Sequence, residues 1–119
     1  MPRVLIVDDD TDLLEMVTLV LTVNHMEVQS ITKGQLLFDS LAANKPDIIL
    51  MDIYLGDSDG RKLCYALKNQ EEYNNIPVIL YSAGHITTLS ILESKADDFI
   101  TKPFDNLQLL NKITTALAS

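Results

Sequence analysis

The chain has 119 residues, 47% of them hydrophobic, which is enough for one domain with one core and excludes a two-domain architecture. Its formal net charge of -8 and its sequence pI of about 4.4 exclude proteins that bind nucleic acid or anionic membranes through clustered Lys and Arg. A cation or a basic partner surface suits this charge better.

Short apolar runs rich in Val and Ile alternate with longer segments of helical spacing, a pattern typical of repeated strand-helix units. The first strand is predicted at residues 3–7 and the first helix at 10–24. The three-and-four spacing in that helix predicts one buried stripe, formed by Leu13, Val17, Val20, Leu21 and Asn24. The other strands are predicted at 26–31, 47–51, 77–81 and 97–101, and the other helices at 34–43, 60–70, 87–95 and 105–118.

This order of elements predicts an α/β fold of the (βα)5 type, with a doubly wound sheet of five parallel strands. Strands joined by single helices run parallel through right-handed crossovers, and a parallel sheet needs helices on both faces. Ligands of such sheets bind beyond the carboxyl ends of the strands, near the point where the strand order reverses. We therefore expect the functional site at the carboxyl ends of the predicted strands.

Polar side chains stand at four of these five strand ends. Only the second strand, which ends in SITKG, has no candidate functional side chain at its end. An order of 2-1-3-4-5 would place this strand at the edge of the sheet. The other four ends would then converge on one crevice. They carry Asp8 and Asp9, Asp52, Ser82, and Thr101 with Lys102, in chain order.

Three carboxylates that lie close together repel one another, and a bound divalent cation relieves the repulsion. Ligands that are all oxygen, with no His or Cys, favour Mg²⁺ over zinc. A carboxylate beside Mg²⁺, with a lysine and a hydroxyl nearby, is suited to phosphoryl transfer. Asp52 is then the candidate nucleophile, Asp8 and Asp9 the metal ligands, Lys102 the partner of the phosphoryl oxygens and Ser82 a hydrogen-bond donor to one of them.

Four stretches, VLIVDDD, DIILMDIYLGDSDG, VILYSAG and ADDFITKPF, resemble the receiver domain of two-component response regulators in their order and spacing. The likeness includes the chemotaxis receivers and extends over essentially the whole chain. It implies one receiver domain over residues 1–119, with the flavodoxin-like strand order 2-1-3-4-5.

The resemblance also implies a site. Asp52 corresponds to the aspartate that a histidine kinase or a phosphotransfer protein phosphorylates in this family. The implied Mg²⁺ ligands are Asp8, Asp9, Asp52 and the backbone carbonyl of Tyr54. A receiver catalyses its own phosphotransfer and dephosphorylation and is not a conventional enzyme.

By the same resemblance Lys102 and Ser82 assist the transfer, while Ser82 and Phe99 act as the switch pair. Phosphorylation would change the partner affinity of the face built from the helix at 87–95, the strand at 97–101 and the helix at 105–118. The implied partners are the phosphodonor and a downstream effector or attached output domain, and the resemblance allows for a homodimer on phosphorylation. The segment itself is expected to bind neither nucleic acid nor membrane.

Cys64 is the single cysteine of the chain, so it cannot form an internal disulfide. We interpret it as a small apolar residue on a helix. The amino terminus lacks the long apolar region of a signal peptide, and no apolar stretch approaches the roughly 18 residues of a membrane span. We therefore expect a cytoplasmic protein. His25 and His85 are too few and too far apart to predict a metal site.

Two positions depart from the family pattern. Gly56 stands where Pro is common four residues after the acceptor, and Lys95 stands where a small residue is common. Gly56 is expected to leave its loop freer than Pro would, and neither change removes a chemical group. Tyr54 and Gly84 occupy the positions that influence the dephosphorylation rate in this family. The Lys102-Pro103 peptide is expected to be cis, so that the lysine points back into the crevice.

Two other functions compete. LIVDDDT is similar to the first motif of aspartate-nucleophile phosphatases of the haloacid dehalogenase type, in which Asp8 would be the nucleophile and Asp10 the acid, but that function leaves LMDIYLG unexplained. A pseudo-receiver that only binds proteins would lack one of the acids or the lysine, and all are present here. Asp57 and Asp59 are interpreted as ordinary turn and cap residues, and Asp10 or Asp12 as a helix cap.

Overall fold

The computed structural model describes residues 1–84 and 86–119. His85, for which the sequence predicts no metal site, lies outside the described residues. The strands are β1 Arg3–Val7, β2 Glu27–Ile31, β3 Ile48–Asp52, β4 Val78–Ser82 and β5 Asp98–Thr101. The helices are α1 Thr11–Val23, α2 Leu37–Ala43, α3 Gly60–Lys68, α4 Thr88–Ser94 and α5 Asn106–Leu117, and a 3₁₀ turn, Gly34–Leu36, precedes α2.

The five strands form one parallel sheet in the order β2-β1-β3-β4-β5. The predicted (βα)5 fold, its doubly wound sheet and its strand order are therefore confirmed. Every residue of β3 and of β4 is buried, because helices cover both faces of the sheet. Asp52 and Ser82 are the last residues of these two strands, so each polar group lies where its strand leaves the core.

The core consists of two layers, one on each face of the sheet. One layer joins α2 and α3 to the sheet through Leu37, Leu41, Cys64 and Leu67. The other layer joins α1 and α5 to the sheet through Leu14, Val17, Leu21, Leu109 and Ile113. Cys64 is fully buried, as its apolar neighbours in the sequence predicted.

The buried stripe of α1 differs from the predicted stripe. Its buried residues are Leu14, Val17 and Leu21, whereas the predicted Leu13 and Val20 are half-buried and Asn24 is exposed. Asn24 is the C-cap of α1, and its side-chain amide donates to the Val20 carbonyl oxygen at 2.8 Å. The prediction was wrong at Asn24 because α1 ends there, and its side chain bonds to the last turn of the helix instead of packing on the sheet.

Asp59 and Asp57 both stabilise helix starts, but not the same helix. Asp59 is the N-cap of α3 and accepts the Arg61 backbone N–H at 2.9 Å, as expected of a cap. Asp57 instead accepts the backbone N–H groups of Gly34 and Gln35, each at 2.9 Å. It therefore ties the loop that follows β3 to the turn that follows β2.

Over residues 1–84 and 86–119 no helix combines the length and the apolar character that crossing a membrane requires.

Candidate functional site

The carboxyl ends of β1 and β3 bring three carboxylates together. Asp8, Asp9 and Asp52 each offer an oxygen atom within 4.8 Å of the others. The two strands are direct neighbours, with Val7 opposite Met51, so the residues that follow them meet at the same edge of the sheet. The predicted convergence of the acidic strand ends is therefore observed.

Asp52 is almost fully buried, with 6% of its surface exposed, and both of its carboxylate oxygens have a donor. Oδ1 accepts the Tyr54 backbone N–H at 3.1 Å, and Oδ2 accepts Lys102 Nζ at 3.1 Å. Burial raises the pKa of Asp52 above its ordinary value, and the bonds from Lys102 and Tyr54 offset only part of that rise. Without Lys102 the carboxylate would be harder still to keep charged.

Position 60, at the start of α3, requires glycine because it lies against the backbone of Asp52. A Cβ atom on Gly60 would lie 2.3 Å from the backbone carbonyl oxygen of Asp52, closer than any side chain tolerates. The Gly60 backbone N–H also donates to the Ile53 carbonyl at 2.7 Å. The start of α3 thus packs directly on the end of β3 and fixes the backbone of the acidic residue.

Lys102 follows β5 and points back toward β1 and β3. Its Nζ lies 3.1 Å from Asp52 Oδ2 and 3.4 Å from Asp8 Oδ2. Burial alone lowers the pKa of Lys102, but the hydrogen bond to Asp52 and the charge of Asp8 outweigh it, so the pKa lies above its ordinary value. The Lys102-Pro103 peptide is cis, which confirms the prediction.

Asp8 has no exposed surface and is held by two further donors. Its Oδ1 accepts the Asp10 backbone N–H at 2.9 Å, and its Oδ2 accepts the Tyr81 hydroxyl at 2.7 Å. Burial and the neighbouring Asp8 carboxylate raise the pKa of Tyr81 well above its ordinary value, so the phenol keeps its proton. The sequence pattern predicts Tyr81 only as part of an apolar strand and does not reveal this contact. The one available signal was a polar atom in an otherwise apolar buried run.

Ser82 and Phe99 lie on β4 and β5, which follow β3 on the side of the sheet away from β1. Ser82 is fully buried at the end of β4, and its Oγ accepts the Gly84 backbone N–H at 3.0 Å. Phe99 lies opposite Leu80 and packs, half-buried, against the core layer of α2 and α3. The Lys102 backbone N–H donates to the Ser82 carbonyl at 2.9 Å. This hydrogen bond joins the end of β4, which carries Ser82, to the lysine that follows β5.

Tyr54 extends from the loop after Asp52 toward two neighbouring segments. A Cβ atom on Gly84 would lie 3.1 Å from Tyr54 Cε2, so a side chain there would require the tyrosine ring to shift by a few tenths of an ångström. On another side the Arg61 guanidinium carbon lies 5.9 Å from the centre of the ring. Arg61 also donates to Ser90 Oγ in α4 at 2.8 Å. Tyr54 and Gly84, which the family pattern pairs, therefore meet in space.

The donor set fits Mg²⁺. Asp8, Asp9 and Asp52 present carboxylate oxygens only, and the Tyr54 carbonyl belongs to the same loop as Asp52. Hard oxygen ligands with several negative charges are those that Mg²⁺ prefers. The cluster carries more negative charge than Lys102 alone neutralises, which favours a bound cation.

Asp10 is not part of this cluster. It is the N-cap of α1, and its Oδ1 accepts the backbone N–H groups of Asp12 and Leu13 at 3.1 and 3.2 Å. The phosphatase hypothesis requires Asp10 as a proton donor, but here its carboxylate serves the helix start. The geometry therefore favours the cluster around Asp52 over a site built on Asp8 and Asp10.

Comparison with known proteins agrees with this geometry. The family model "Response regulator receiver domain" matches residues 4–114. The chain is 36% identical to the DNA-binding dual master transcriptional regulator RpaA of Synechocystis sp., over 98% of this chain and 49% of RpaA. It is 34% identical to the response regulator PleD of Caulobacter vibrioides, over 93% of this chain and 25% of PleD.

A solved structure shares the same fold. The BeF3-activated N-terminal receiver domain of Klebsiella pneumoniae RstA superposes with a TM-score of 0.88 at 28% identity, covering 98% of this chain and 99% of that chain. The chain thus spans about half, or a quarter, of the length of the curated relatives named above. The family match, the shared fold and the convergent strand ends lead to one conclusion: this chain belongs to the receiver domain family of two-component response regulators.

Proposed function

We propose that residues 1–119 form one receiver domain that accepts a phosphoryl group on Asp52 and changes its partner affinity as a result. The observation that carries the proposal is the position of Lys102, whose Nζ contacts both Asp52 and Asp8 at the edge of a cluster of three carboxylates. A structural ion pair needs one acid. A half-buried lysine that contacts two of three clustered acids fits a site that receives a cation and a charged group.

In the proposed reaction a carboxylate oxygen of Asp52 attacks the phosphorus of the donor. A bond forms between this oxygen and phosphorus, and the bond between phosphorus and the donor's leaving group breaks with its electron pair. Lys102 lies where it would neutralise charge on the phosphoryl oxygens. Ser82 would donate a hydrogen bond from its hydroxyl to one of them after leaving Gly84.

Mg²⁺ would be held by Asp8, Asp9, Asp52 and the Tyr54 carbonyl. When bound, it supplies positive charge that offsets the negative charge of the phosphoryl group and of the carboxylates. The fixed backbone around Gly60 and the Tyr54 N–H would keep Asp52 oriented for attack.

The switch would run from Ser82 to Phe99. A phosphoryl group adds up to about two negative charges and new acceptor oxygens beside Ser82 and Lys102. Movement of Ser82 would make room for Phe99, which is half-buried against the core layer of α2 and α3. The face formed by α4, β5 and α5 already exposes Leu89, Leu92 and Leu107, whose relative exposures are 64, 69 and 68%. These side chains suit a partner or a second copy of the domain in a phosphorylation-dependent dimer.

We further propose a histidine kinase or a phosphotransfer protein as the donor, acting in the cytoplasm. The relatives support a separate output: RpaA is named as a DNA-binding transcriptional regulator, and the segment matched here covers 49% of it. Output would then come from a partner protein or an attached domain. The acidic receiver itself, with a net charge of -8, is unsuited to nucleic acid.

Incubation with acetyl phosphate and Mg²⁺ tests the proposal, with intact-protein mass spectrometry as the readout. One phosphoryl group should appear on the wild-type protein, stable in acid and labile in alkali as an acyl phosphate is. Asp52→Ala should take none, whereas Lys102→Ala should be labelled more slowly. A wild-type protein that takes no label would support the pseudo-receiver. Label on Asp52→Ala but not on Asp8→Ala would support the phosphatase-type nucleophile.

A further inference from the structure

A tyrosine hydroxyl contacts the carboxylate cluster from within the sheet. We propose that Tyr81 is a positioning residue that holds the Asp8 carboxylate in the orientation that Mg²⁺ binding requires. The inference rests on the proposed function, since it concerns the same metal site. Its basis is the hydrogen bond from the Tyr81 hydroxyl to Asp8 Oδ2, 2.7 Å long and fully buried.

Asp8 is restrained through both of its oxygens. The Asp10 backbone N–H donates to Oδ1 at 2.9 Å, while Tyr81 donates to Oδ2. Lys102 also approaches Oδ2, but at 3.4 Å, and it shares its charge with Asp52. A carboxylate with a donor on each oxygen cannot rotate without breaking a hydrogen bond. Loss of the Tyr81 hydroxyl would leave Oδ2 with only the longer contact to Lys102, so the Asp8 carboxylate would be held less firmly.

Tyr81 is itself rigid, so the position of its hydroxyl is set by the fold. It lies in β4 directly opposite Asp52 of β3, and only 2% of its surface is exposed. Its ring packs edge to face on Phe104, with ring centres 5.9 Å apart. Lys102 Nζ lies 4.9 Å from the centre of the same ring. The hydroxyl reaches past β3 to Asp8, at the end of β1.

Mg²⁺ tolerates little deviation from octahedral geometry, so the orientation of each carboxylate affects its affinity. Removing a residue that orients a metal ligand typically costs 10- to 100-fold in metal affinity. Tyr81→Phe is a precise test because it deletes the hydroxyl alone. The ring, with its contacts to Phe104 and Lys102, would remain.

The test titrates Mg²⁺ into wild type and Tyr81→Phe while following the amide resonances of residues 8, 9 and 52–54. We expect the Kd for Mg²⁺ to rise by about 10-fold or more in Tyr81→Phe. Tyr73→Phe is the matched control, since Tyr73 is also buried but packs on Phe38 in the other core layer, and it should keep the wild-type Kd. Phosphorylation of Tyr81→Phe by acetyl phosphate should be slow at low Mg²⁺ and return to the wild-type rate at saturating Mg²⁺.

A second measurement uses the unaltered protein and so does not depend on the folding of the variant. The ¹³Cζ resonance of Tyr81 should shift as Mg²⁺ saturates the site, whereas those of Tyr65 and Tyr73 should not. Labelling of wild type on Asp52 reports separately on the proposed function, which fails if wild type takes no label. The positioning role alone is overturned if wild type is labelled but Tyr81→Phe binds Mg²⁺ as tightly as wild type or more tightly. It is also overturned if Tyr81→Phe is still phosphorylated more slowly than wild type at saturating Mg²⁺. The same holds if the ¹³Cζ resonance of Tyr81 does not shift when Mg²⁺ is added.

Discussion

Lys102 Nζ lies 3.1 Å from Asp52 Oδ2, although 50 residues separate the two in the chain. The contact spans the ends of β5 and β3, with β4 between them. It gives the buried Asp52 a cation, and it places that cation at the group proposed to attack phosphorus. The stability of the metal-free protein and the chemistry of the site therefore depend on the same lysine.

Replacing Lys102 by Met should destabilise the metal-free protein. Two buried carboxylates would lose a charged donor, which lowers the free energy of unfolding by about 1–3 kcal/mol. Lys112→Met is the control, because Lys112 pairs with Asp98 at 2.9 Å in a half-exposed site worth less than about 1 kcal/mol. Urea unfolding in the presence of a chelator measures both losses. Equal losses would show that the buried pair contributes no more than the surface pair.

Adding Mg²⁺ should stabilise the wild-type protein, because only the folded chain brings the three carboxylates together. At a free Mg²⁺ concentration 100 times the Kd, the free energy of unfolding should rise by about 2.7 kcal/mol. Asp9→Asn should lose most of this gain, while Asp39→Asn, in the first turn of α2, should retain it. Urea unfolding with Mg²⁺ and with a chelator gives the comparison. A gain that survives in Asp9→Asn would argue against Asp9 as a ligand.

Asp57 should make part of the stability depend on pH. The backbone N–H groups of Gln35 and Gly34 hold its pKa below the ordinary value of 3.8. A carboxyl group with a lowered folded-state pKa stabilises the protein above its unfolded pKa, and this contribution is lost as the pH falls through the folded-state pKa. Wild type should therefore exceed Asp57→Asn in stability at neutral pH, and the difference should shrink below pH 3.8. Urea unfolding midpoints measured from neutral pH to below pH 3.8 test this, with Asp39→Asn as the control for the loss of one charge. A difference between wild type and Asp57→Asn that stays constant over this range would contradict the prediction.

The Cys64 thiol should be inert in the folded protein. It is fully buried between α3 and the sheet, and burial raises its pKa to about 12. Because the thiolate is the reactive form, an aromatic disulfide reagent should label Cys64 only as fast as the chain unfolds. The absorbance of the released thiol measures the rate with and without urea. Rapid labelling of the native protein at neutral pH would contradict the burial of this helix face.

The fold and the acidic cluster were predictable for a physical reason. Alternating apolar runs and helical segments specify a parallel sheet, and a parallel sheet collects all carboxyl strand ends at one edge. Asp8, Asp9, Asp52 and Lys102 are the residues at those ends, so their convergence followed from the strand order.

The hydrogen bonds of Tyr81 and Asp57 could not be found in the same way. Tyr81 reaches from β4 to the end of β1, across β3, and its hydroxyl finds a partner 73 residues away. Asp57 bonds to Gly34, 23 residues earlier. Periodicity reports which face a side chain lies on but not how far its polar atom reaches. Asn24 illustrates a related difficulty. The three-and-four spacing of α1 predicts it as part of the buried stripe, although the helix ends at Val23 and Asn24 is its C-cap.

We expect Asp52, and no other aspartate, to form the acyl phosphate. Borohydride reduces an aspartyl phosphate to homoserine, so the treated protein keeps a permanent mark at the phosphorylated residue. After incubation with acetyl phosphate and Mg²⁺, reduction and digestion, mass spectrometry of the peptides should find homoserine at position 52 alone, and none when Mg²⁺ is withheld. Homoserine at position 8, 9 or 10 with Asp52 intact would show that Asp52 is not the nucleophile and that the nucleophile lies at the end of β1.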